Sequence, residues 1–139
     1  MESQEENNFD KAMSRYRQGI EVREVLKDFE ALTSSSPTNA AGWTCQAWLQ
    51  LLCDDNNAAL RSARYAVKLN GQDPQARINL SLALLETNSK GVREHIEFVK
   101  KALLIVPEIE NELRESIEDG LQRKPDWQAL IKIKKWMDF

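Results

Sequence analysis

The stretch KKALLIVPE, Lys100–Glu108, decides the fold. Alone it reads as a buried strand: Ala102 to Val106 are all apolar, Ile105 and Val106 are β-branched, and Pro107 stops the run. Two other stretches have the same character, RYAVKLNG at 64–71 and DFEALTSSSP at 28–37. The segment is therefore the end of a unit that recurs. Ala12 and Ala31 lie 19 residues apart, as do Ala47 and Ala66, and Ala83 and Ala102. These pairs advance along the chain by 35 and then 36 residues. Val25, Leu60 and Ile96 follow in the same register, as do Leu32, Val67 and Leu103; Met13, Trp48 and Leu84; and Leu69 with Ile105.

A period of this length marks stacked helical units. KKALLIVPE then closes a helix and Pro107 marks the exit, as SSSP at 34–37 and NGQDP at 70–74 do for their units. RQG at 17–19, DDNN at 54–57 and NSKG at 88–91 break each unit into two antiparallel helices. The expected pairs are 6–18 with 21–33, 39–53 with 57–70, and 74–87 with 91–106. The paired alanines sit where two helices approach too closely for a larger side chain. A fourth, shorter copy follows at a spacing of 37, with Gly120 as its small residue, Leu121 in the Met13 column and Ile133 in the Val25 column. Its helices are expected over 108–122 and 126–137, with the KPD turn at 124–126 suited to a helix start.

The composition narrows the class. The chain has 139 residues, 42% apolar and 29% charged, which is too apolar for disorder and enough for a core. A net charge of −3 supplies no global basic field, so nucleic acid is not an expected partner. No apolar run approaches the roughly 20 residues that span a bilayer. The acidic opening MESQEENNFDK does not read as a signal or transit peptide. Cys45 and Cys53 on one helix would stand about 12 Å apart, beyond the reach of a disulfide. They read as thiols in a reducing, cytoplasmic compartment. His95 is the single histidine, and no second metal ligand recurs at metal-site spacing. There is no phosphate-binding glycine loop and no Gly-x-Ser-x-Gly elbow. No catalytic residue, metal or cofactor is assigned, and the expectation is that the chain is not an enzyme.

With Trp43 as an early aromatic in the second unit and KKALLIVPE as a closing segment, the chain resembles the tetratricopeptide repeat (TPR) family over roughly 6–107. It departs from the pattern in its unit lengths of 35–37 and in having Asn79 where unit two has Trp43, and His95 and Glu24 where unit two has Ala59. The resemblance implies an all-α, right-handed α-α superhelix of TPR-like hairpins in one domain: repeats at about 6–37, 38–73 and 74–107, and a degenerate capping hairpin at 108–139. It implies a non-enzymatic protein-interaction module, an adaptor or assembly chaperone. Its first helices would line a groove for an extended peptide or an amphipathic partner helix. Carried over by register, that groove is expected to comprise Phe9, Met13, Tyr16, Trp48, Leu52, Arg77, Leu84 and Asn88, with Glu6, Arg17, Ala41, Thr44, Leu51, Leu80 and Thr87 beside them. The basic clamp that some relatives use for acidic chaperone tails falls here on Phe9, Met13, Cys45, Arg77 and Ser81. Only Arg77 suits carboxylates, so such tails are not expected to bind.

The apolar column Met13, Trp48, Leu84, Leu121 allows two readings, a hydrophobic groove or ordinary packing between helices. On the groove reading, Trp48→Glu abolishes partner binding and spares the fold. The alternative function is a structural protein that self-associates through this column and the last helix. The C-terminal end segregates charge: EIENELRESIED at 108–119 holds six carboxylates against one Arg, and 122–139 holds five basic residues against two acidic ones. This suits a solvated capping hairpin or a polar recognition face. In DWQALIKIKKWMDF, Leu130, Ile133 and Met137 share a face, with Trp127 and Ile131 beside it. Trp136 and Phe139 are left to pack on the third hairpin, to pair with a second copy in a homodimer, or to touch a partner or membrane.

Overall fold

A computed structural model of the chain describes residues 3–139. Among these residues there are eight α-helices and no strand: α1 (Gln4–Arg17), α2 (Val22–Ser35), α3 (Ala40–Leu52), α4 (Asn56–Leu69), α5 (Pro74–Glu86), α6 (Val92–Ile105), α7 (Glu110–Arg123) and α8 (Gln128–Trp136). A 3-10 turn at Pro107–Ile109 joins α6 to α7. The local chemistry explains where helices begin. The side chains of Ser3, Asn39 and Asp73 accept hydrogen bonds from the free backbone N–H groups of α1, α3 and α5. Pro74 adds a preset φ to the first turn of α5. Gly91 enters α6 at φ 107, which a residue with a Cβ rarely adopts.

The first six helices form three hairpins, α1–α2, α3–α4 and α5–α6, each packed on the next. Val25, Phe29, Leu32 and Leu49 close the core between the first hairpin and α3. Ala47, Ala63, Leu80 and Leu84 do the same between the second hairpin and α5. Full burial of each large aliphatic or aromatic side chain stabilises by roughly 1.5–3 kcal/mol, so these seams hold the stack together.

The packing corrects the register in three places. The helix caps Asn39 of α3 and Asp73 of α5 lie 34 residues apart, and buried positions such as Gly42 and Ala76 follow the same spacing. The counterpart of Trp48 is thus Leu82, which shares its core, and not Leu84, and the two additional residues of unit three lie in the turn Thr87–Gly91 rather than in α5. Secondly, the alanine column of the second helices holds only at Ala66, which is fully buried; Ala31 is exposed and Ala102 half-buried. Phe29 and Leu32 take the buried face of α2, so the first unit is one residue out of step with the second. Finally, the apolar run in KKALLIVPE does not end in the core. Leu104 is 84% and Ile105 80% exposed, because Val99 and Leu103 take the core face of α6 and these two residues point away from it.

The C-terminal hairpin does not extend the stack in sequence order. α8, rather than α7, makes the main helix contact with α5. Leu130 and Ile133 of α8, with its flanking residues Trp127 and Met137, join Ile78, Leu82, Ile96 and Val99 in the main core. Trp136 is exposed, at the rim of a shallow hollow that Val92, Ile96 and Lys100 of α6 also line. Phe139 packs at the edge of the main core with the Arg114 guanidinium 4.4 Å from its ring centre. Ile131 is exposed. With α8 in the stacking position, α7 is free to cross the face formed by α1, α3 and α5.

Candidate functional site

The groove is built on α1, α3 and α5. Each contributes a turn of side chains: Met13, Tyr16 and Arg17; Thr44, Cys45, Trp48 and Leu49; Gln75 and Asn79. The fourth wall is α7, through Glu112, Glu115, Ser116, Asp119 and Arg123. The hollow enclosed by these groups has a volume of about 460 Å³. Its floor is apolar, and the α7 wall is anionic towards its N-terminal end.

α7 is held across the groove by side chains of matched chemistry. Leu113, Ile117 and Gly120, spaced one helical turn apart, are its buried residues. Gly120 lies directly on Trp48: a Cβ there would stand 2.6 Å from Leu130 Cδ2 and 2.8 Å from Trp48 Cη2. The Trp48 ring packs against Trp127, with ring centroids 5.5 Å apart, and its Nε1 donates to the Tyr16 hydroxyl oxygen at 2.9 Å. The Tyr16 hydroxyl in turn donates to the Asp119 carboxylate. Burial first, and then the Asp119 carboxylate, hold the Tyr16 phenol protonated well above its ordinary range, so it remains a donor at any physiological pH. Arg123 pairs with Asp119 at 3.1 Å and donates to the Tyr16 carbonyl at 3.3 Å, and its guanidinium covers the Tyr16 ring at 4.0 Å. Lys124 donates to the Leu51 carbonyl, at the C-terminal end of α3, at 3.2 Å, and to Asp54 at 2.6 Å. At the far end Glu112 lies near Asp73, whose carboxyl is raised by burial and, to a lesser degree, by that second carboxylate.

The floor is tied together beneath this helix. Asn79 Nδ2 donates to the Thr44 carbonyl at 2.9 Å, linking α5 to α3. Cys45 Sγ lies 3.8 Å from Met13 Sδ. Burial pushes the Cys45 thiol up to about 12, so it stays a protonated, apolar floor group rather than a nucleophile.

Of the eight residues expected from register, the groove gathers Met13, Tyr16 and Trp48, and of the seven beside them Arg17 and Thr44, while Glu6, Ala41, Leu51, Leu80 and Thr87 do not line it. The other five of the eight lie elsewhere. Phe9 stacks edge-on against Phe29, with centroids 5.7 Å apart, in the seam of the first hairpin. Leu52 packs between the seam of the first hairpin and the main core. Leu84 is core against α3 and α4. Asn88 is exposed in the turn after α5, at φ 54. Arg77 turns towards α6, bonding the Gly71 carbonyl and His95 Nδ1 and covering the Phe98 ring at 4.2 Å. His95 is pushed down by burial and then by this guanidinium, which suits its neutral, accepting role. Cys45 enters the expectation only as a clamp position, and Leu49, Gln75, Asn79 and the whole α7 wall lie outside it. The signal that bears on α7 is a glycine inside a helix, Gly120, which marks a close approach without naming its partner. Among the described residues no group of three His, Cys, Asp or Glu side chains could hold a metal ion. No helix among them is long and apolar enough to cross a membrane.

No protein-family model and no curated protein sequence matches the chain. Solved structures do. The type III secretion translocator chaperone SycD of Yersinia enterocolitica superposes with a TM-score of 0.69 at 13% identity, covering 100% of this chain and 98% of that one. The first TPR domain of Spaghetti (RPAP3), bound to the HSP90 peptide SRMEEVD, superposes with a TM-score of 0.57 at 17% identity, covering 96% and 90%. At such identities the likeness is one of fold. The chain has the tetratricopeptide-type fold of stacked helix hairpins.

Proposed function

We propose that the chain is a non-enzymatic protein-interaction module, acting in the cytoplasm as an adaptor or assembly chaperone, that holds a segment of a partner protein against the groove floor. The observation that carries this reading is the groove itself: an open hollow with Met13, Cys45, Trp48 and Leu49 on its floor and charged groups on its rim. Apolar concavities with a few polar groups at the edge are the usual form of a binding site. A related fold holding a peptide, and another serving as a chaperone, support the same reading. Acidic tails fit poorly, because the α7 wall presents Glu112 and Glu115 and the clamp positions Phe9, Met13 and Cys45 offer no cation.

Met13 is the residue to test, since it is half-buried on the groove face of α1 and can change without emptying the main core. Wild-type and Met13→Glu protein, both checked for helicity, are used to capture partners from lysate of the native organism. The expected result is a protein retained by wild type and lost by the folded variant. An identical set from both would place the binding surface elsewhere.

A further inference from the structure

We infer that α7 is a displaceable stand-in for the groove's ligand, and that this ligand is an amphipathic helix of the same chemistry, rising from a reading of the groove as the binding site. Such a helix carries apolar side chains at the positions of Leu113 and Ile117 and a glycine where it crosses Trp48. At its C-terminal end an acidic residue precedes a basic one by a turn, as in Asp119 and Arg123.

The groove already displays this fit. The Gly120 position meets Trp48 at a distance that excludes a Cβ. Tyr16 serves both charges of the pair, its hydroxyl donating to Asp119 and its ring and carbonyl receiving Arg123. Within the C-terminal hairpin α7 is the more lightly held helix. It buries only two large side chains, Leu113 and Ile117, whereas α8 buries Leu130 and Ile133 completely and carries the contact with α5. No side chain caps its first turn, which follows an uncapped 3-10 turn. A 14-residue helix that loses its docking face is marginal in water. Since α6 and α8 stay in place, displaced α7 becomes a longer surface loop between them, and lengthening a loop costs little. The Arg123 and Lys124 contacts with Tyr16, Leu51 and Asp54 are then a latch that sets how often the groove stands open.

The test uses the full chain and a labelled synthetic peptide of α7, ENELRESIEDGLQR. A double variant, Arg123→Ala with Lys124→Ala, breaks the latch. Apparent affinity scales with the fraction of open groove, so the variant is expected to bind the peptide about tenfold more tightly than wild type does. A peptide carrying Gly120→Leu is expected to bind that variant about tenfold more weakly than the native peptide, for the steric reason given. Hydrogen exchange in 110–123 should quicken in the variant while α1–α6 stay protected. Equal peptide affinity for wild type and variant, equal binding of the Gly120→Leu peptide, or exchange raised evenly along the chain would each overturn the inference. These outcomes separate from the groove reading: if Met13→Glu still loses its partner, only the identity of the ligand fails.

Discussion

Replacing Trp48 with alanine is expected to lower stability by about 4 kcal/mol, and the Tm by roughly 12–16 °C, in thermal unfolding followed by circular dichroism. Trp48 is 8% exposed and stands where α3, α7 and α8 meet. Truncation removes the ring that packs on Trp127 and covers Gly120. It also leaves the Tyr16 oxygen without the indole donor, at a partly buried site. Phenylalanine keeps most of the volume and loses the hydrogen bond, so Trp48→Phe should cost about half as much or less. This placement reverses the expectation drawn from register, in which Trp48→Glu spares the fold. A carboxylate among Trp127, Ile117 and Leu130 would be buried without a partner, and the expected result is unfolding of at least the C-terminal hairpin. A loss below about 1 kcal/mol for Trp48→Ala would show that the hairpin does not close over this ring.

The second large effect is expected at Gly120. Valine for glycine within a helix ordinarily gains a few tenths of a kcal/mol from propensity. Here the new atoms enter space already held by Leu130 and Trp48, both buried and neither able to swing into solvent. Overpacking of this kind costs about 1–3 kcal/mol, so Gly120→Val should be destabilising by about 2 kcal/mol net, measured by urea unfolding. The damage should concentrate in α7 and α8, leaving the seams of the first three hairpins intact. Gly71→Ala is the control: its Cβ would meet the end of the Arg77 side chain and the Val67 carbonyl at 3.3 Å, so the neighbour need give only slightly. A Gly120→Val protein as stable as wild type would mean that α7 does not lie on Trp48.

The fold was legible because it is written many times. Alanine pairs, closing apolar runs and mid-unit polar breaks recur with the period of a helix hairpin, and each copy corroborates the others. The expected helices of units one to three coincide with α1 to α6 to within a few residues at their ends. Individual columns were less secure because a one-residue slip in an α-helix turns a side chain by about 100°, enough to move it from one seam to the next. That slip separates Ala31 from the buried face of α2, and a shift of two residues separates Leu84, which is core, from the groove position assigned to it. The longer turn Thr87–Gly91 accounts for the second, since its two additional residues set α6 36 residues from α4 while α5 stands 34 from α3. The position of α7 was not legible at all. Its apolar stripe Leu113, Ile117, Gly120 states that the helix packs on something, but a stripe does not say whether that surface is the end of a stack or its inner face. The hydrogen bonds that settle it join residues more than 100 positions apart, Tyr16 to Asp119 and Arg123 to Tyr16.

The groove takes its shape from α7 and α8 closing over α3, and the most direct measurement of that closure is the set of nuclear Overhauser effects from the Trp48 indole ring in the 139-residue chain. Cross-peaks to the Leu130 methyls, the Gly120 α-protons and the Trp127 ring are the predicted result, because all three groups touch or adjoin that ring. An indole with cross-peaks only to α1 and α5, and a solvent-exchanging Nε1 proton, would contradict it.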